Sequence, residues 1–131
     1  DTVMSATVLN DLGDALRCYT NTGAEDAPDL DTVSMSLDMF RAYIDGYLSE
    51  AASFLCPAEI ENLAFSGIYI TFEQVLRFLM DYLNGDTYYK IKYPEHNLVR
   101  TRAQFKLLCS MEEQYSDMCK VVDELVAKYR R

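Results

Sequence analysis

An all-α fold is what this sequence predicts, and three observations carry the prediction. Leu108, Met111, Tyr115, Met118, Val122, Leu125 and Tyr129 alternate spacings of three and four, which places them along one face of a helix. Ser36 and Pro57 each stand just before an apolar-periodic run, Ser36 as an N-cap and Pro57 in a first turn. Between such runs lies Asn21 to Asp31, where Gly23, Pro28, Glu25, Asp26, Asp29 and Asp31 leave little apolar content, so this stretch reads as a solvated loop.

Taken in order, Asn10-Asp11-Leu12-Gly13-Asp14 offers a side-chain acceptor and early acidic residues before Ala15-Leu16-Arg17, suiting a helix N-terminus and its dipole. From Ser36, a second helix carries Leu37, Phe40, Ile44, Tyr47 and Leu48 on one side. A third begins at Pro57, with Glu59 and Glu61 near its positive end and Ile60, Leu63 and Ala64 facing the core. Gly67 marks either a break or a close helix crossing before a run containing Phe72, Val75, Leu76, Leu79 and Leu83. Asn84-Gly85 suits a hairpin turn, and Thr87 to Tyr93 has β-favouring residues. A helix stop at Gly85 fits better, because Leu79 to Leu83 lacks a period of two. The final helix, from Leu108 to Tyr129, has a narrow seam over about three heptads, open to packing within the domain or to self-association.

At 131 residues, with 50% hydrophobic and 25% charged, the chain suits one helical domain spanning 1–131. Its net charge of −9 argues against a nucleic-acid or anionic-membrane footprint, which needs clustered Lys and Arg. Cys18, Cys56, Cys109 and Cys119 show no Cys-x-x-Cys spacing and have one histidine to join them, so a zinc site is not expected and reduced cytosolic thiols are. No apolar run approaches the roughly 20 residues of a membrane span, and no signal-peptide pattern opens the sequence. The expected location is the cytoplasm.

Neither a glycine-rich phosphate loop nor a nucleophile with a histidine base is present. His96, between Glu95 and Asn97, reads as a capping or surface residue more readily than as a base, which needs an orienting partner. The richest segment is Arg77 to Lys106. It sets an arginine inside an apolar helical run, then Asn84-Gly85-Asp86, paired tyrosines and a basic helix start. Each buried polar group there must find a partner or cost about 1–3 kcal/mol, so the segment reads as one wall of a polar small-molecule pocket.

Asp1-Thr2-Val3-Met4, Asp11-Leu12-Gly13-Asp14-Ala15-Leu16-Arg17, and the motifs Arg77-Phe-Leu-x-Asp-Tyr-Leu-x-Gly-Asp-x-Tyr88 and His96-Asn-Leu-x-Arg-x-Arg102 resemble the C-terminal part of bacterial N-acetylhexosamine 1-kinases. That family falls within the aminoglycoside phosphotransferase-like, protein-kinase-related superfamily. The resemblance implies the helical C-terminal part of a kinase C-lobe, in a protein that uses ATP and magnesium to phosphorylate the anomeric hydroxyl of N-acetylglucosamine or N-acetylgalactosamine. It also implies that the nucleotide-binding lobe, the catalytic base and the principal metal ligand lie upstream, with Asp1 adjacent to that ligand. No catalytic or metal residue is then expected within the chain, which alone should be inactive. Ser5-Ala6-Thr7 departs from the Pro-Gly of many relatives.

Carried over residue by residue, the family's sugar contacts fall on Arg77 and Tyr88. An arginine offers a fixed fork of donors to hydroxyls or an acetamido carbonyl, and a tyrosine offers a ring face and a hydroxyl. The competing reading of Arg77 is a helix salt ladder with Glu73 and Asp81 at i−4 and i+4, each exposed pair worth about 0.3–0.5 kcal/mol. Tyr88 competes with Tyr82, Tyr89 and Tyr93 for a role in packing. Asp81 and Asp86 would orient Arg77 or the turn, while Asp14 and Arg17 would hold the start of the first helix near the catalytic lobe. Two alternatives stay open: a related kinase for an amino alcohol or aminoglycoside, and a noncatalytic helical interaction module, favoured by the missing catalytic loop and by the Leu108–Tyr129 seam.

Overall fold

The computed structural model describes residues 3–130. Six α-helices run in order: α1 (Leu9–Tyr19), α2 (Leu37–Ala51), α3 (Pro57–Glu61), α4 (Leu63–Leu83), α5 (His96–Glu113) and α6 (Tyr115–Tyr129), with a 3-10 turn at Leu30–Thr32. There is no strand among the described residues, and the Asn21–Met35 bridge is isolated, so the all-α expectation holds. Helix α4 packs along both α1 and α5, and α2 packs on α6.

Local chemistry explains the starts of two helices, α2 and α3. The Ser36 side chain accepts from the Met39 amide at 3.3 Å, and α2 then buries Phe40, Ile44 and Leu48 on one face. Pro57 opens α3, and Glu59 reaches back to the Cys56 amide at 3.0 Å. Leu63 and Ala64 are buried and Ile60 partly so, but α3 stops at Glu61, and Leu63 and Ala64 open α4 rather than continuing the helix from Pro57. The first helix differs from expectation. It begins one residue before Asn10, with Val8 at the cap position, and neither Asn10 nor Asp11 caps it; Thr7 Oγ1 instead accepts from the Leu9 amide.

Gly67 lies inside an unbroken α4, where an added Cβ would meet Leu16 at an ordinary 3.6 Å. The tight approach of the two helices is at Gly13, where a Cβ would stand 2.3 Å from the Ser66 carbonyl oxygen. After Leu83 the helix stops: Asn84 ends it and Gly85 turns left-handed at φ 89°. No hairpin follows.

Two expectations are corrected along the rest of the chain. The Leu108–Tyr129 periodicity continues through two helices, because Gln114 takes φ −100° and ψ 5° and donates its side-chain amide to the Met35 carbonyl at 2.8 Å. The seam itself is spent inside the domain, with Leu108, Met111, Met118, Val122 and Leu125 buried. The second correction concerns α4, which at 21 residues and a mean hydropathy of 1.2 is long and apolar enough to cross a membrane. Half of it is buried in the fold, which suits a core helix. Its remaining apolar side chains, Phe65, Tyr69, Phe72, Leu76, Met80 and Leu83, form an exposed line at spacings of three and four.

Candidate functional site

Arg77 and Tyr88 come together. Arg77 projects from α4, and Tyr88 follows the turn that ends it; the guanidinium donates weakly to the Tyr88 hydroxyl at 3.4 Å. The same guanidinium lies 5.7 Å from the ring centroids of both Tyr88 and Tyr89, within cation–π range. The salt ladder does not form, for Arg77 makes no ion pair with Glu73, Asp81 or any other acid among the described residues. Tyr88 is 72% exposed, so it is not a packing element. Tyr89 is the packing tyrosine, tilted on Phe78 at 4.9 Å and edge-on to Tyr88 at 4.8 Å.

Asp81 turns away from Arg77. Its carboxylate, on a side chain almost wholly buried, accepts from the amides of Tyr88 at 2.8 Å and Tyr89 at 3.0 Å, and from Asn97 Nδ2 at 2.7 Å. Burial pushes this carboxyl up, but those hydrogen bonds outweigh it and leave its pKa below the ordinary carboxylate value. Asn97 Nδ2 also donates to Asp86 at 2.9 Å, across a turn where Asp86 itself sits at φ 60°.

A cleft of about 410 Å³ opens beside the pair, between α1, α4, α5 and the acidic loop. Its charged lining consists of Asp14, Glu25 and Glu73 against Arg17, Arg77 and Arg100, and so balances. Arg17 is buried and fully engaged: it meets Asp14 at 2.9 Å, Glu25 at 2.6 Å and Gln104 at 3.2 Å. Burial pulls its guanidinium down, but the bonds to Glu25 and Asp14 hold its pKa above the usual value. Arg100 is occupied as well, donating to Asn97 Oδ1 at 2.8 Å and the Lys90 carbonyl at 3.1 Å. Arg77, with one weak hydrogen bond to the Tyr88 hydroxyl, is the least engaged of the three cleft cations.

Arg17, expected at the start of the first helix, stands in the last turn of α1, where it joins that end to the acidic loop and α5 through Glu25 and Gln104 and forms part of the cleft wall. Arg100 and Gln74, which donates to the Tyr89 hydroxyl at 3.2 Å, were not legible as lining residues. The signal for Arg100 lay in its place four residues after His96, one helical turn along α5. His96 is corrected from a surface role: it is 1% exposed at the first position of α5, accepts from the Lys92 amide at Nδ1, and bonds Asp26 at 2.8 Å through Nε2. That bond holds the Asp26 carboxyl below the ordinary range and ties the acidic loop to α5. Tyr93, half exposed, stacks on the His96 ring.

Asp1 lies outside the described residues. Among the described residues no group of three or more His, Cys, Asp or Glu comes together, so they offer no magnesium cage. The four cysteines are unpaired. The cleft can present hydrogen-bond donors and an aromatic face. A scan against protein-family models finds none that matches this chain.

Proposed function

We propose that this chain is the sugar-recognising helical part of an ATP-dependent kinase of the N-acetylhexosamine 1-kinase type, with the C-lobe arrangement of the aminoglycoside phosphotransferase-like superfamily. In this reading Arg77 donates to the sugar's hydroxyl or acetamido oxygens, and Tyr88 offers its ring face and hydroxyl. The nucleotide, the magnesium ions and the catalytic base belong to a lobe upstream of Asp1, and phosphoryl transfer rests on those parts. The cytoplasm, where ATP and sugar meet, is the proposed location.

One observation carries the reading: a guanidinium with no acidic partner among the described residues, set against two tyrosines in a cleft whose six charged side chains, Arg77 included, sum to zero. A neutral ligand rich in hydroxyls fits such a lining. A cationic amino alcohol or aminoglycoside calls instead for an acidic excess, which Arg77 opposes.

The interaction-module alternative loses the seam it rested on, because that seam is buried between helices. It retains the exposed apolar line on α4. Titrating the chain with N-acetylglucosamine while watching amide and arginine side-chain resonances separates the two: the kinase reading predicts shifts at Arg77, Tyr88 and Tyr89, and the module predicts none there.

A further inference from the structure

The link between α4 and α5, residues 84–95, is longer than the roughly two to eight residues that usually join packed helices, and links of that length commonly carry function. Its first half is organised around one buried carboxylate. Asp81 is 4% exposed and takes the amides of Tyr88 and Tyr89 on its two oxygens. Asn97, wholly buried on α5, donates to Asp81 and to Asp86 and accepts from Arg100, whose other arm holds the Lys90 carbonyl. The turn is thereby gripped at Asp86, Tyr88, Tyr89 and Lys90.

We infer that Asp81 and Asn97 are positioning residues that set Tyr88 against Arg77. This rests on the reading of that pair as the sugar contact. Tyr88 is 72% exposed, so side-chain packing does little to fix its ring, and its backbone anchor must supply the direction. Arg77 and Asp81 stand one helical turn apart on the rigid α4, so a single helix carries both the arginine and the anchor of the tyrosine facing it. The left-handed φ of Asp86, uncommon for a residue with a Cβ, is held by the same Asn97 amide. The two sequence motifs, Arg77 to Tyr88 and His96 to Arg102, are therefore halves of one hydrogen-bonded unit.

The test is isotope-edited NMR on the chain carrying Asp81→Asn, which keeps the side chain's shape but turns one acceptor into a donor facing an amide. Positioning predicts at least tenfold faster amide exchange at Tyr88 and Tyr89, loss of ring-to-Arg77 cross-relaxation, and roughly tenfold weaker N-acetylglucosamine binding, while core amides of α1 and α4 stay protected. A folded Asp81→Asn chain that keeps the amide protection and the Arg77–Tyr88 contact overturns the inference. Asn97→Ala gives a second reading should Asp81→Asn fail to fold, and unfolding of both also counts against it, since a loop anchor must be removable without losing the core. If Asp81→Asn loosens the loop yet neither it nor Arg77→Ala changes sugar binding, the positioning stands and the sugar reading fails. If Arg77→Ala alone abolishes binding, the reverse holds.

Discussion

Arg77 and Asp81 show how the same charge pattern divides into two uses. At i and i+4 on α4 they look like a ladder, yet Asp81 spends its oxygens on backbone amides and Arg77 is left facing tyrosines. Because hydrogen bonds to charged groups are worth about 1.5–3 kcal/mol, Arg77→Ala should weaken sugar binding by tenfold or more while moving the melting temperature little. Arg77→Lys should recover little, lacking the guanidinium fork. Tyr88→Phe should cost less than Tyr88→Ala if the ring face stacks on the sugar; calorimetric titration and melting curves on one variant set read both effects. Asp81 also sets an acid limit. Its folded pKa lies below the unfolded value of about 3.9, so its stabilising contribution is fully present above that pH and is lost as pH falls through the folded pKa. Amide protection at Tyr88 and Tyr89 should be flat from neutral pH down to about 4 and collapse below, as pH-dependent hydrogen exchange would record.

Among the helices, α1 and α4 depend on the missing side chain of Gly13. Gly13→Ala places a Cβ against the Ser66 carbonyl and should destabilise by about 1–3 kcal/mol despite alanine's better helix propensity. Gly46→Ala on α2, where nothing lies within 4 Å, should be neutral or stabilise by up to about 1 kcal/mol; urea unfolding of the two variants checks the contrast. On α6, Met118→Asp or Val122→Asp puts an unpaired charge into the α2–α6 contact and should unfold or loosen the domain, visible in circular dichroism and dye binding. A variant that stayed folded and changed only its oligomeric state would point to a partner surface. Helix existence was legible wherever a cap residue met a periodic run, as at Ser36 and Pro57. The break at Gln114 was not, because the three-four spacing runs straight through it and the Met35 carbonyl that its side chain meets is distant in sequence. Gly13 was hidden for the same reason: its crowding comes from another helix.

For the molecule as a whole, the acidic excess is carried partly by the loop before α2, and two of its residues reach the site region: Glu25 binds Arg17 and Asp26 binds His96. The resemblance brought out Arg77 and Tyr88 because both sit in one of its motifs, whereas spacing alone favours a salt ladder for Arg77. It could not show that α1 and α5 complete the cleft with Arg17 and Arg100, whose contacts span the fold. In an ATP-dependent sugar phosphorylation assay the isolated chain should transfer no phosphate, since the parts that position nucleotide and base lie upstream in the proposed reading. Sugar recognition by Arg77 and Tyr88 is the central claim, and an NMR titration of the chain and its Arg77→Ala variant with N-acetylglucosamine tests it most directly. The account predicts saturable shifts at Arg77, Tyr88 and Tyr89 that vanish in the variant; no shifts there, or the same shifts in both proteins, would contradict it.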